Sequence, residues 1–211
     1  MDMARNMRLA IVNSFIKSSI VIDRFHAVKL VQEAMQHVRI AFRWAAIKEE
    51  NEAIKLAKEK GVKYQSIELS NGDTKKELLA RSRYLLYKFE EEWTQNQAKR
   101  AALLFEKYPK LKVAYKLILQ FRKIYEAKQL EDATKQFNKW KQDVIDADIE
   151  EFNTVMNSLD YHSDNILNFF NNRTTNAYAE SFNSKIKNFR ANLRGVNDVK
   201  FFLFRLEKLF A

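Results

Sequence analysis

Apolar residues recur at helical spacing along most of this chain. Met7, Ala10, Ile11, Ser14 and Phe15 share one face of an amphipathic helix predicted over residues 3–17, and two serines break it. Ile20, Val21 and Ile22 then form a short apolar, β-branched run of the kind found in buried strands of parallel sheets, and it stops at Asp23. A helix, a strand and an acid in that order mark the C-terminal edge of an α/β unit, where open sheets place their sites. From Ala27 the spacing of Val31, Ala34, Val38, Ala41, Phe42 and Ala45 predicts a long helix to about Lys60. Residues 61–74 are polar, with turn chemistry at Asn71 and Gly72. Helices are expected at about 75–90, 94–107, 110–127, 130–143 and 145–170, with Pro109 separating the second from the third. No internal repeat is present. A last helix starts near Ala177, where Phe182, Ile186, Phe189 and Leu193 fall four, three and four apart. Asn176 suits its N-cap and Gly195 its C-terminal stop.

Composition agrees with long helices. Among 211 residues there are three glycines and one proline, far below ordinary usage. The length suggests one domain or two small ones. With no cysteine, a disulfide frame and a thiolate zinc site are both excluded. No apolar run approaches a membrane span, and residues 1–20 lack the order of a signal peptide, so a soluble intracellular protein with no membrane partner is expected.

The net charge of +10 matters less than where it lies. Residues 1–48 hold eight Lys or Arg against three Asp or Glu, and residues 171–211 hold the same numbers. The remaining 49–170 carry 21 of each sign. All the excess positive charge therefore sits in the two end segments, which a polyanion bound near joined termini would explain.

The polar face of the last helix gathers Glu180, Asn183, Ser184, Lys187, Arg190, Ala191 and Arg194, so one carboxylate heads a row of cations. A carboxylate can hold a divalent metal, and cations a turn or two away can hold phosphate oxygens beside it. The alternative is a solvated helix face that happens to carry one glutamate. Likewise Arg81, Arg83 and Lys88 with Tyr84 and Tyr87 could touch a nucleic-acid backbone or bases, or could pack their tyrosines and solvate their cations.

Asn176 opens the pattern N-A-x-A-E-S-F-N-x-K-I-K-x-F-R-x-x-x-R-G-V-x-x-V-x-F-F-L-F-R-L, which resembles the C-terminal signature of DDE transposases of bacterial insertion sequences, in the ISL-three family. The likeness continues through Met1, Asp2 and Met3, through IVIDRFHAVKLVQEAMQHVR, and through LSNGDTKKELLARSRYLLYK, so it covers essentially the whole chain. The resemblance implies DNA transposition by an RNase H-like catalytic core, in which three carboxylates hold two divalent metals, Mg²⁺ or Mn²⁺, for in-line displacement at phosphorus. Residue by residue, Asp2 matches the second acid of that triad and Glu180 the third, which makes both catalytic and metal-binding candidates. Asp23 and His26 match a D-x-x-H element whose implied role is to orient a carboxylate or contact a phosphate. Arg24, Lys185, Lys187, Arg190 and Arg194 become candidate DNA contacts.

The expected fold is mainly α with a small α/β remnant: a partial RNase H-like core over residues 1–48, an all-helical insertion over 49–170, and a core helix with its successor over 171–211. In the family the first acid and the early strands precede Asp2, and Met1 falls inside the strand that should lead to it. A truncated or split reading frame is therefore expected, unable to cut DNA alone. Transposon ends and target DNA are the implied partners, in a homo-oligomeric complex in the bacterial cytoplasm, associated with the nucleoid. The alternative is a helical DNA-binding protein derived from a transposase and without catalysis.

Overall fold

The computed structural model describes residues 19–173, 177–193 and 197–210. The predicted helix over 3–17 and the proposed caps Asn176 and Gly195 lie outside the described residues. The main body is built around one long helix, α1 (Arg24–Glu59), of 36 residues. Its start is fixed by Asp23, whose Oδ1 accepts the Phe25 amide at 2.7 Å, so the helix begins three residues earlier than the apolar spacing suggests. Its end is a Schellman closure at Gly61, which sits at φ 67°. The Gly61 amide donates to Lys58 O and the Val62 amide to Ala57 O, which satisfies carbonyls the helix leaves open.

Beyond the loop come α2 (Lys75–Arg81), α3 (Gln95–Lys107), α4 (Pro109–Ile124), α5 (Leu130–Ala147), α6 (Glu150–Tyr161), α7 (Ser163–Leu167) and α8 (Phe169–Asn172). Capping boxes pin two of these starts, Thr74 with Glu77 for α2 and Thr94 with Gln97 for α3. Pro109 opens α4 at the first helical position, where its missing N–H costs nothing. α1 packs against α2, α4 and α6, while α4 also packs against α3 and α5. Val31, Ala34, Met35 and Val38 of α1 enter the same core as Leu117, Phe121, Phe137, Trp140 and Phe152. Trp140 is buried and donates its indole N–H to Leu117 O at 2.9 Å, so its one polar atom is satisfied.

Two predicted helices are shorter than their apolar pattern. The segment expected to be helical to residue 90 ends at Arg81 and continues as 3-10 turns at Leu85–Tyr87 and Glu90–Glu92. Side chains from neighbouring elements take its carbonyls: Arg39 that of Leu79, Trp93 that of Leu85, Arg122 that of Tyr87 and Tyr115 that of Lys88. The helix expected over 145–170 is cut at Asp148, which adopts φ 46° between α5 and α6, and again around His162. A left-handed residue ends a helix, and aspartate tolerates that geometry better than most side chains.

The expected strand is not formed. Residues 20–22 take no regular secondary structure, and no strand is present among the described residues. The hydrogen bonds of residues 20–22 involve α7 and the residue after it instead: the Ile22 amide donates to Asn165 O at 2.9 Å, and Asn168 Nδ2 donates to Ile20 O at 3.0 Å. The apolar run buries Ile22, but forming a strand also needs a second one to pair with. After α8 the chain continues in α9 (Ala177–Asn192) and α10 (Val199–Phe210), which meet through a stack of Phe189 on Phe202, ring centres 5.8 Å apart.

Candidate functional site

The predicted D-x-x-H element lies at the N-terminus of α1, where three parts of the chain converge. Asp23 caps the helix, and the His26 amide donates to its carbonyl at 3.1 Å. Arg24 is exposed and holds its guanidinium 5.5 Å from the ring centre of Tyr125, just past the end of α4. Phe121, Phe169 and Phe170 surround the other sides of that ring at 5.6 to 6.1 Å. Two polar atoms at this junction are buried without a hydrogen-bond partner, His26 Nδ1 and the Tyr125 hydroxyl. Burial pushes the Tyr125 hydroxyl well above its ordinary pKa, against the opposing pull of Arg24.

Two more cations stand around the junction. Arg122 donates to Tyr87 O at 3.0 Å and stacks on Phe89 at 3.6 Å. Burial is the main cause of its lowered pKa, the nearby Arg24 adds to it, and Glu92 works against both. Arg173 donates to Ala127 O at 2.6 Å and adopts φ 48° where α8 ends. Arg122, Tyr125 and Arg173 carry no sequence motif. Only their contacts reveal that the helical block builds one side of the Asp23–His26 surroundings.

The other predicted site residues lie on α9 or outside the described residues. Asp2 and Arg194 belong to the latter. Glu180 is the fourth residue of α9. Lys185, Lys187 and Arg190 are exposed on that helix, and Ile186 and Phe189 are half-buried. Arg190 lies in the last turn, where the helix dipole favours a cation. α10 adds Arg205, whose guanidinium stands 6.0 Å from the Phe189 ring centre and 5.9 Å from that of Phe201.

Of the basic-aromatic residues singled out near the end of α2, Arg81 is already engaged. It pairs with Asp73, a carboxylate just before α2 that Arg100 also reaches at 3.3 Å. Asp73 is buried, and Asn71 donates to its second oxygen at 2.8 Å. Arg83 and Tyr84 stay at the surface, with the guanidinium over the exposed ring at 5.5 Å.

Among the described residues no group of three His, Asp or Glu side chains is arranged to hold a metal ion. The candidate donors are carboxylates, without any cysteine, which suits a hard divalent cation. Asp23 has one carboxylate oxygen committed to the cap of α1. No described helix is long and apolar enough to cross a membrane. A family model described as Transposase, that of the ISL-three DDE enzymes, matches residues 1–206. No curated protein and no solved structure matches the chain.

Proposed function

This chain belongs to the ISL-three family of DDE transposases, whose work is DNA transposition, and from that premise we propose that its two end segments carry a metal-dependent centre for DNA cleavage and strand transfer. Asp2 and Glu180 would hold Mg²⁺ or Mn²⁺ as part of an RNase H-like core. When bound, such ions activate the attacking oxygen and neutralise charge on the leaving one. In this reading Asp23 fixes the start of α1 and thereby the direction in which His26 and Arg24 are presented. Lys185, Lys187, Arg190 and Arg194 bind backbone phosphates next to Glu180, keeping the strand in reach of the acids. Residues 49–170 act as a helical insertion, and assembly on transposon ends and target DNA takes more than one copy.

The observation that supports this best is the bond from Asn168 to the Ile20 carbonyl at 3.0 Å. It ties a residue that follows Asp2 to one that precedes Glu180, across 148 positions of sequence. The segment between residues 20 and 168, which includes all of α1, leaves and returns at one place, so it can sit within a second unit without separating that unit's halves.

The test is a Mn²⁺ titration of the full chain, read by paramagnetic broadening of α9 amides, for wild type, Asp2→Asn and Glu180→Gln. Weaker broadening in both variants, with DNA affinity in EDTA unchanged, is the expected result. Equal broadening in all three would overturn the metal assignment. DNA binding indifferent to metal in every protein would favour a helical DNA-binding protein without catalysis.

A further inference from the structure

Three arginines gather where α1 passes the end of α2, away from the Asp23–His26 junction. Arg39 is only 6 % exposed, although its guanidinium is charged. Its Nε donates to Gln36 Oε1 at 2.7 Å and its Nη1 to Leu79 O at 2.8 Å. Gln36 in turn reaches Arg83 O at 3.5 Å, so the α1 face bearing Gln36 and Arg39 is clamped to the segment bearing Arg83. Arg43 follows Arg39 by four positions, one turn along the same face. Among the described residues none of the three is paired with a carboxylate, whereas nearby Arg81 and Arg100 share Asp73. Burial first, then Arg83 and Arg43, depress the Arg39 pKa, as expected where like charges crowd without an acid between them.

A buried arginine that only ties backbone together would be served by a neutral surface above it. Here the surface above holds two further exposed guanidiniums, Arg43 and Arg83, and beside them Tyr84, 69 % exposed with the Arg83 guanidinium over its ring at 5.5 Å. Unpaired cations attract phosphate, and an exposed aromatic ring beside them offers a face for a base. A base can stack on that ring only if it is free of a duplex.

We propose that Arg43, Arg83 and Tyr84 form a second DNA-contact surface, on the helical block, that takes single-stranded DNA. Phosphates sit at Arg43 and Arg83, and an unpaired base stacks on Tyr84. Arg39 positions the surface from beneath by holding α1 against the end of α2. The proposal rests on the reading that this chain handles DNA, and it concerns residues outside the candidate catalytic centre.

The experiment measures binding of the full chain to an oligo-dT strand and to a duplex of equal length, by fluorescence anisotropy across a series of salt concentrations. Arg43→Ala with Arg83→Ala should lower the salt slope for the single strand by about 1.4, since each phosphate contact on a single strand contributes about 0.7. Tyr84→Ala should leave the slope alone and weaken oligo-dT binding by a factor between about 5 and about 150, with the duplex unaffected. Lys135→Ala with Lys139→Ala removes the same net charge from exposed positions of α5 and should change neither slope. All the substituted side chains are exposed, so thermal unfolding should stay at the wild-type temperature. An unchanged slope in the Arg43 and Arg83 variant, or an equal loss in the Lys135 and Lys139 control, overturns the proposal. So does a duplex preference indifferent to Tyr84. Lys187→Ala with Arg190→Ala keeps the two readings apart: a slope lost there alone leaves the end-segment phosphate contacts standing and removes this surface. A slope lost only at Arg43 and Arg83 does the reverse. No DNA binding by the wild-type chain removes both.

Discussion

Asp23 Oδ1 accepts the Phe25 amide at 2.7 Å, so one oxygen of the D-x-x-H element is already committed to the start of α1. That separates a structural duty from any role toward DNA. Asp23→Ala should cost about 1 kcal/mol of folding stability in urea unfolding, the usual value of a lost N-cap, whereas Asp23→Asn keeps the acceptor and should cost only a few tenths. If Asp23→Asn also leaves DNA binding and metal response intact, the aspartate serves the helix alone. Tyr125 poses the complementary question, because its hydroxyl is buried and makes no hydrogen bond. A buried donor left without a partner costs on the order of 1–3 kcal/mol. Tyr125→Phe should therefore leave stability unchanged or raise it by about 1 kcal/mol, measured in the same urea experiment. A loss of more than 1 kcal/mol would show that the hydroxyl is bonded in solution. Asp23 and His26 could be singled out from sequence because they stand together in a motif. Tyr125 could not, since its place beside Arg24 depends on how α4 crosses the N-terminus of α1.

At the level of elements, several stops and starts were legible where the chain itself supplies the partner, though the Asp23 cap of α1 and the left-handed Asp148 are local too and shift the expected ends. Gly61 closes α1, Pro109 opens α4, and Gly72 at φ 78° makes the predicted turn, donating its amide to Leu69 O. The remaining misread ends are decided by other elements, above all the end of α2, whose later carbonyls are taken by Arg39, Trp93, Arg122 and Tyr115. No local pattern encodes such captures, because the donors lie far away in sequence. The capping box of α2 is local, and it carries a pH dependence. Bonds from the Thr74 amide and hydroxyl hold the Glu77 carboxyl below its ordinary pKa, with a smaller contribution from Arg81 and an opposing one from Asp73. A depressed folded-state pKa stabilises the fold at any pH above the unfolded value, and that stability is lost as pH falls through the folded value. Glu77→Gln keeps an acceptor but no charge. The melting temperatures of wild type and variant should therefore differ at pH 7 and converge as the pH falls below about 4, the ordinary glutamate range. A constant difference across that window would remove Glu77 as the source.

Across the whole molecule, two segments of like charge flank a block of balanced charge, and residues 20–22 meet residues 165–168 at a single place. The strand expected at residues 20–22 is not formed although Ile22 is buried, and the reason is physical. The apolar side chains demand burial, while the partner is set by what lies alongside, here Asn165 and Asn168. Those bonds join the first described residues to α7 and the residue that follows it, with Arg173 adding a hold on Ala127 a few residues later. The junction is thus a small latch between the chain's entry into the helical block and its exit toward α9. Ile22 shares the buried core with Trp140, so what decides the character of the latch is whether its bonds open alone or only with that core. Asn168→Ala removes one hydrogen bond whose net worth is about 0.5–1.5 kcal/mol. If the latch opens locally, hydrogen exchange at the Ile22 amide should speed up roughly two- to twelvefold, the same free energy expressed as a ratio. Amides of α4 and α5 should keep their rates, because they exchange only by opening the core. A rise shared by all three places would mean that residues 20–22 are part of the global fold. An Ile22 amide that exchanges at the same rate in wild type and variant would mean that Asn168 does not hold Ile20, and that the two ends of the block are kept together by the burial of Ile22 instead.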